Sequence, residues 1–327
     1  MRKKWEKRKK TGAVKAVSLF LVTGAVLGLS GCRGGGEKLQ LSSRGHLFGA
    51  TYMSSSNPFF DVLHESIKEV IESNGDILIR RDPAQNQEKQ NEQIQDMIDE
   101  GIEALFLNPV NWEEVEPALI ACREAGIPVF NIDTKVKNTE YVVSIIETNN
   151  YEAGVQCASD MMKRVQEARI VILDYPVQTS VSERVEGFLD TIADKPQYQV
   201  VFQAPASGEL EVSAEVMTEF LEKEVDFDVI FGGNDPMALG ALSALQQNDR
   251  EEEILIYGVD GSPDSKAMIN MGYVTGSCAQ SPKSLGRTAA ELVYRYLDGE
   301  SVDKYFSIEP EMVTKENIGE FTINGWQ

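Results

Sequence analysis

From His46 onward, short runs of β-branched and aromatic residues alternate with longer stretches whose apolar residues recur every three or four positions, and this alternation restricts the chain more than any other feature. Strands are expected over residues 47–52, 76–80, 104–107 and 128–132, with helices over 57–73, 86–100 and 112–125. Phe60, Leu63, Ile67, Val70 and Ile71 share one face of the first helix, the spacing of an amphipathic helix. The pattern repeats after Asn150, with strands near 170–173, 199–203, 229–231, 254–257 and 274–278 and helices near 151–166, 182–193, 211–222, 237–247 and 264–271. Short apolar strands alternating with helices form parallel sheets covered on both faces. The units are too many for one sheet. The expected fold is α/β, with two doubly wound, Rossmann-like lobes and a parallel sheet in each.

The first residues are of another kind. Arg2, Lys3, Lys4, Lys7, Arg8, Lys9, Lys10 and Lys15 precede an apolar run over 16–29, which Ser18, Thr23, Gly24 and Gly28 interrupt. A positive segment, a short apolar segment and small residues before a cleavage point are the parts of an export signal, and the run is short for a membrane span. The ending Leu29-Ser30-Gly31-Cys32 resembles the lipobox of bacterial lipoproteins. That resemblance implies that residues 1–31 are a lipoprotein signal peptide and that Cys32 is the lipid attachment site. Residues 32–45, which include Arg33-Gly34-Gly35-Gly36, would then be a flexible tether, and the protein would work outside the cytoplasm, anchored to the cell membrane. A plain transmembrane anchor and a signal cleaved elsewhere are the alternatives. The whole chain carries −21; the signal, with eight basic residues and Glu6, carries +7, so the remainder stands near −28. An acidic chain repels nucleic acid and anionic lipid, which excludes both as electrostatic partners.

No glycine-rich dinucleotide turn follows the first strand, where Ala50-Thr51-Tyr52-Met53-Ser54 stands instead, and no phosphate-binding loop occurs. The nucleotide fingerprints of doubly wound folds are missing. The only two histidines are His46 and His64, and no cysteine–histidine cluster exists, so neither a metal site nor a histidine-based catalytic triad is expected. Cys122, Cys157 and Cys278 sit among apolar or small neighbours and read as core thiols. No cofactor and no catalytic residue is expected.

Ligands of open α/β sheets bind beyond the carboxyl ends of the strands. The residues there are Asn57 with Phe59 and Phe60, then Asp133-Thr134-Lys135, Arg184, Asn234-Asp235 and Asp260-Gly261-Ser262. Each has a structural explanation. Asn57 before Pro58 and Asn234 or Asp235 before Pro236 suit helix N-caps; Asp260-Gly261 suits a turn; Arg184 suits a surface ion pair; the phenylalanines suit a core. Together they resemble a carbohydrate site, in which planar polar groups read hydroxyls and aromatic rings cover C–H faces.

These residues also carry a family resemblance. Asn57-Pro58-Phe59-Phe60, Asn108-Pro109, Ile127-Pro128-Val129, Asp133, Arg184-Val185-Glu186-Gly187-Phe188, the run from Asn234 to Leu242, Gly258-Val259-Asp260-Gly261 and Ala279-Gln280 resemble the ribose-type periplasmic sugar-binding proteins of ABC importers, of the type I periplasmic-binding-protein superfamily. The superfamily includes the sugar-binding cores of LacI-type repressors, but a repressor needs a DNA-binding helix-turn-helix where this chain has its export signal. The resemblance implies sugar contacts from Asn57, Phe59, Phe60, Asp133, Arg184, Asn234, Asp260 and Gln280, with Thr134 also in the ligand set. It implies three hinge strands near 146–149, 280–282 and 307–310. The first lobe would comprise 46–147 plus 281–308, and the second 148–280 plus 309–327.

Departures from the family pattern bear on the ligand. Thr134 stands where ribose binders carry arginine, and Gly208 and Val259 replace two aromatic positions. This leaves room for a larger or differently oriented ligand, or for another ring such as Tyr175 or Tyr52. The implied function is a monomeric, lipid-anchored receptor that hands a sugar to an ABC permease. The alternatives are an inositol or furanosyl ligand, service to a chemoreceptor or sensor kinase, and, more remotely, a secreted enzyme.

Overall fold

The computed structural model describes residues 45–250 and 254–327. The expected signal segment, most of the expected tether and Cys32, the expected lipid site, lie outside them.

The first half builds a sheet from β1 (Leu47–Thr51), β2 (Ile77–Arg81), β3 (Ala104–Leu107), β4 (Val129–Ile132) and β5 (Ser144–Thr148), linked by α1 (Pro58–Ser73), α2 (Gln87–Asp99) and α3 (Glu116–Ala125). After β5 the chain passes to a second sheet. There α4 (Asn150–Arg164), β6 (Ala168–Asp174), α5 (Thr179–Ile192), β7 (Tyr198–Pro205), α6 (Leu210–Leu221), β8 (Val229–Gly232), α7 (Asp235–Gln247), β9 (Leu255–Asp260), α8 (Pro263–Met271) and β10 (Gly276–Ala279) follow. It returns for α9 (Pro282–Leu297) and β11 (Tyr305–Ile308), then crosses again to β12 (Glu311–Thr314). The sheet orders are β11-β5-β4-β3-β1-β2 and β12-β10-β9-β8-β6-β7. Three segments, after β5, after β10 and after β11, connect them.

In the first lobe α1 and α9 cover one face, over a core of Phe48, Leu63, Ile67, Phe106, Phe130 and Leu285. On the other face α2 and α3 pack over Ile94, Met97, Leu105, Leu119 and Val129. A single core around Ile172, Phe188, Phe220, Phe231, Ile256 and Tyr257 holds the second lobe. The helices start where capping chemistry directs. Asn57, Asn86, Asn149, Asn234, Ser262 and Ser281 each accept a hydrogen bond from a backbone N–H in the first turn. Cys122, Cys157 and Cys278 are free and buried, as core thiols.

The structure departs from the expected elements in places. Four elements, β5, α9, β11 and β12, fall outside the pattern read from sequence. The signal for α9 was present: Ser281 caps it, Pro282 opens it, and Leu285, Ala289, Ala290, Leu292 and Val293 are buried at helical spacing. The two short strands β11, of alternating exposure, and β12, buried only at its end, gain partners only from β5 and β10, more than 30 residues away in sequence. The helix expected from residue 112 begins at Glu116, because Asn111 Oδ1 holds the N–H groups of Glu113 and Glu114 in a turn and Pro117 sets the first helical turn. The second sheet is not wholly parallel. Strand β12 runs antiparallel to β10: β11 delivers the chain to the cleft, so a direct crossing enters the second sheet from its carboxyl edge.

Candidate functional site

The carboxyl ends of both sheets face one cavity. It is lined by residues following β1 (Ser56, Asn57, Phe59, Phe60), β2 (Gln85), β4 (Asp133), β6 (Tyr175, Gln178, Arg184), β7 (Gly208, Glu209), β8 (Asn234), β9 (Asp260) and β10 (Gln280). Eight of the nine residues expected from sequence therefore meet: Asn57, Phe59, Phe60, Asp133, Arg184, Asn234, Asp260 and Gln280. The ninth, Thr134, does not line the cavity. It is fully buried behind Asp133, where its hydroxyl contacts Asp133 Oδ2 at 3.3 Å, Gln178 Oε1 at 2.5 Å and Ser180 Oγ at 2.8 Å. The backbone decides this: Asp133 sits at φ 66°, a left-handed conformation that turns consecutive side chains to different sides. Asp260 also has positive φ, 146°. Non-glycine residues in such regions carry local strain, a frequent mark of functional positions.

Several side chains combine a structural and an exposed role. Asn57 Oδ1 accepts from the Phe59 N–H at 2.9 Å, capping α1, while its amide faces the cavity. Asn234 caps α7 through the Met237 N–H at 2.9 Å and donates to the Gly208 carbonyl at 3.0 Å. Asn108 Nδ2 donates to Asp133 Oδ2 at 3.0 Å. Arg184 is buried; its Nε donates to Asn150 Oδ1 and a terminal nitrogen donates to the Gly233 carbonyl, both at 2.9 Å. That terminal nitrogen stands 3.9 Å from Asp260 Oδ1. Gln280 Nε2 donates to Asp260 Oδ1 at 2.7 Å, and its Oε1 accepts from Thr148 at 2.7 Å. This fixes Asp260 from a segment joining the lobes and leaves Oδ2 without a protein partner. Burial pushes the Asp133 carboxyl upward against the pull of Arg184, Thr134 and Asn108. Asp260 is pushed up to about 8, by burial first and then by the Asp235 carboxylate, with Arg184 and Gln280 opposing.

Phe59 meets Phe60 edge-on at 5.3 Å and Trp326 at 5.8 Å, making one aromatic wall. Of the two rings considered for the altered positions, Tyr175 lines the cavity beside Gly208, with its Cδ1 3.4 Å from where a Gly208 Cβ would stand. Tyr52 instead stacks behind Phe60 at 5.8 Å. Val259 is buried in the second core.

Gln85, Gln178 and Glu209 line the cavity and were not anticipated. Each follows the carboxyl end of a strand, so applying the strand-end rule to β2, β6 and β7 in full would have found them. They join the lobes. Gln178 Nε2 donates to the carbonyls of Pro109 at 2.9 Å and Val110 at 2.6 Å. Tyr175 donates to Gln85 Oε1 at 3.2 Å, Ser56 to Glu209 at 3.3 Å, and Gln85 Nε2 to Glu209. Thr179 donates to the Lys135 carbonyl at 2.9 Å, and Lys135 pairs with Glu183 at 2.7 Å. The lobes are thus drawn together, and the free volume of the inner cavity is 40 Å³. An outer chamber of 670 Å³ adjoins it across Ser56, Asn57, Gly208, Glu209 and Asp260, with Trp326, Leu239 and Pro263 among its walls.

Two doubly wound lobes of the same strand order, joined by three segments and facing one polar cleft, define a bilobal solute-binding protein. The chain belongs to the periplasmic binding protein domain family, which matches residues 48–301. It is 30% identical over 263 residues to the ribose import binding protein of Escherichia coli (strain K12), covering 80% of this chain and 88% of that protein. With the ribose import binding protein of Bacillus subtilis (strain 168) it shares 28% identity over 314 residues, covering 94% of this chain and all of the relative. The periplasmic binding component of the arabinose ABC transporter of Shewanella sp. ANA-3, solved with arabinofuranose, superposes with a TM-score of 0.79 at 26% identity, over 84% of this chain and 93% of that one.

Proposed function

We propose that this protein is an extracytoplasmic receptor that captures a monosaccharide or related polyol between its lobes and delivers it to an ABC import permease. The convergence of eight polar and aromatic side chains from six strand ends of both sheets on one cavity carries this reading. Amide, carboxylate and guanidinium groups match the donors and acceptors of ring hydroxyls, and the Phe59–Phe60–Trp326 wall suits the C–H face. The ribose import binding proteins among its relatives support it.

The inner cavity, at 40 Å³, has room for about three waters, less than a sugar ring needs. Uptake therefore requires the lobes to part, with residues 46–147 plus 281–308 turning against 148–280 plus 309–327 about the three connecting segments. Ligand contacts from both lobes favour the closed form because only there are they made together. The protein binds and releases as a monomer, and the permease supplies the energy. Lipid on Cys32 keeps the receptor beside the permease.

A thermal-shift screen over pentoses, hexoses and cyclitols tests the reading. A ligand-dependent rise in melting temperature that disappears in Asp133→Ala and in Arg184→Ala is the expected result; a shift that survives both substitutions places binding elsewhere. Metabolic labelling with a fatty acid tests the anchor, and Cys32→Ala should abolish the label.

A further inference from the structure

The charges around the cleft do not balance. Asp133, Glu209 and Asp260 line the inner cavity, with Arg184 as the one basic side chain lining it among the described residues. The outer chamber adds Glu211 and Asp264 and, among the described residues, is lined by no lysine or arginine. Nearby cations are engaged elsewhere: Lys135 with Glu183 at 2.7 Å and Glu147 at 3.7 Å, Arg80 with Asp61 at 2.7 Å, and Lys266 with the carbonyls of Thr322 and Gly325. Arg184 itself is held by Asn150 and the Gly233 carbonyl and reaches Asp260 Oδ1 only at 3.9 Å.

Within this acidic cleft Asp260 is 3% exposed, and its Oδ2 is buried with no hydrogen-bond partner. Behind it Asp235 is fully buried, but both of its oxygens are satisfied, by the Ser277 hydroxyl at 2.5 Å and the Ser262 N–H at 2.7 Å. A buried carboxylate whose one basic neighbour in the cavity lining, Arg184, stands 3.9 Å from its other oxygen is costly to ionise, and burial accordingly holds the Asp260 carboxyl up. A ligand hydroxyl meets Asp260 Oδ2 with the carboxyl left protonated or its charge held by Arg184 alone at 3.9 Å, whereas an ammonium group supplies both a donor and a second cation and draws the carboxyl into its ionised form. Among the described residues no three His, Cys, Asp or Glu side chains are grouped to hold a metal ion, so the geometry favours an organic cation. The acidic outer chamber would concentrate such a ligand and repel sugar phosphates and uronates.

We propose that the ligand is an amino sugar or amino cyclitol whose protonated amine seats against Asp260 Oδ2. This rests on the polyol-receptor reading and names the ligand class within it. Isothermal titration at neutral pH with matched sets tests it: D-glucosamine, D-glucose and N-acetyl-D-glucosamine; D-galactosamine, D-galactose and N-acetyl-D-galactosamine; and an amino-deoxy-inositol with myo-inositol. In at least one set the amine should bind at least tenfold more tightly than its neutral counterparts. The amine-to-hydroxyl affinity ratio should fall towards one in Asp260→Asn. Glu209→Gln, at a half-buried position, provides a second reading of that ratio should Asp260→Asn not fold. Neutral members binding as tightly as the amines would overturn the inference while leaving the polyol receptor standing. Binding by no member of any set would overturn this inference, and the polyol reading itself falls only if the pentoses, hexoses and cyclitols of the thermal-shift screen also give no shift.

Discussion

Replacing Gln178 with alanine separates the energy of lobe closure from that of ligand contact. Gln178 belongs to the second lobe and is 2% exposed, yet its side chain bonds to the first lobe. Its Nε2 donates to the Pro109 and Val110 carbonyls at 2.9 and 2.6 Å, and its Oε1 accepts from Thr134 at 2.5 Å. Both amide hydrogens are engaged, so the side chain has no donor left for a sugar. With the lobes parted, water hydrates all of these groups, and their loss then costs little. The penalty therefore falls on the closed form. At about 1 kcal/mol net for each bond, Gln178→Ala should destabilise closure by about 3 kcal/mol. Ligand-free protein rests with its lobes parted in this reading, so the loss appears as an affinity about 100-fold weaker, measured by isothermal titration, with the ligand-free melting temperature little changed. Thr134→Val breaks the shared bond from the other side, and the double variant should lose about 1 kcal/mol less than the sum of the singles. An affinity within threefold of the parent protein in Gln178→Ala would refute the coupling of closure to binding.

Further expectations follow from the same geometry. A Cβ on Gly187 would stand 2.0 Å from the Tyr151 carbonyl oxygen, and one on Gly154 1.8 Å from that of Arg184, so α4 and α5 touch backbone to backbone. Gly187→Ala should cost about 2–3 kcal/mol, seen as a melting temperature about 5–10 °C lower; an unchanged melting curve would contradict this packing. Asn57→Ser retains a capping oxygen but removes the amide facing the cavity. Stability should stay within about 0.5 kcal/mol while affinity falls about tenfold, and a loss of stability with affinity intact would reverse the two roles. Asp260 and Glu147 are raised to about 8 and about 7 from 3.8 and 4.5, each chiefly by burial. A carboxyl raised in the folded state stabilises the fold while protonated. That contribution is complete below about pH 4 and is lost as the pH rises through about 7–8. Both are buried in the closed form, so closure should weaken across that window, and small-angle scattering of ligand-free protein should show the lobes parting further from about pH 4 to about pH 8, less steeply in Asp260→Asn; lobes drawing together instead would contradict the burial of these carboxyls.

Much of the site was legible because the strand-end rule needs only local pattern. Phe59 and Phe60 follow an Asn-Pro helix start, and Asn234-Asp235 leads into Pro236. At Asn57 capping and facing roles are compatible rather than exclusive, since the amide oxygen caps while the residue lines the cavity; Asn234 divides its amide between the cap and the Gly208 carbonyl. Thr134 shows where the reading ended. Its neighbour Asp133 faces the cavity, but a left-handed backbone turns Thr134 into the seam between the lobes. The pairing of Gln178 with Pro109 and Val110 joins residues nearly 70 positions apart, and no local signal marks it.

Periodicity, caps and prolines act within a turn or two of chain, so sequence alone determined the α/β class, most helix starts and the strand ends at which a ligand would sit. Tertiary structure decided what depends on distant partners. It recruited β11 and β12 to opposite sheets, set the antiparallel edge, brought Trp326 against Phe59, and left Asp260 Oδ2 buried without a hydrogen-bond partner. Burial and charge balance are properties of the assembled cleft, because they depend on groups that only the packed sheets bring within a few ångströms of one another.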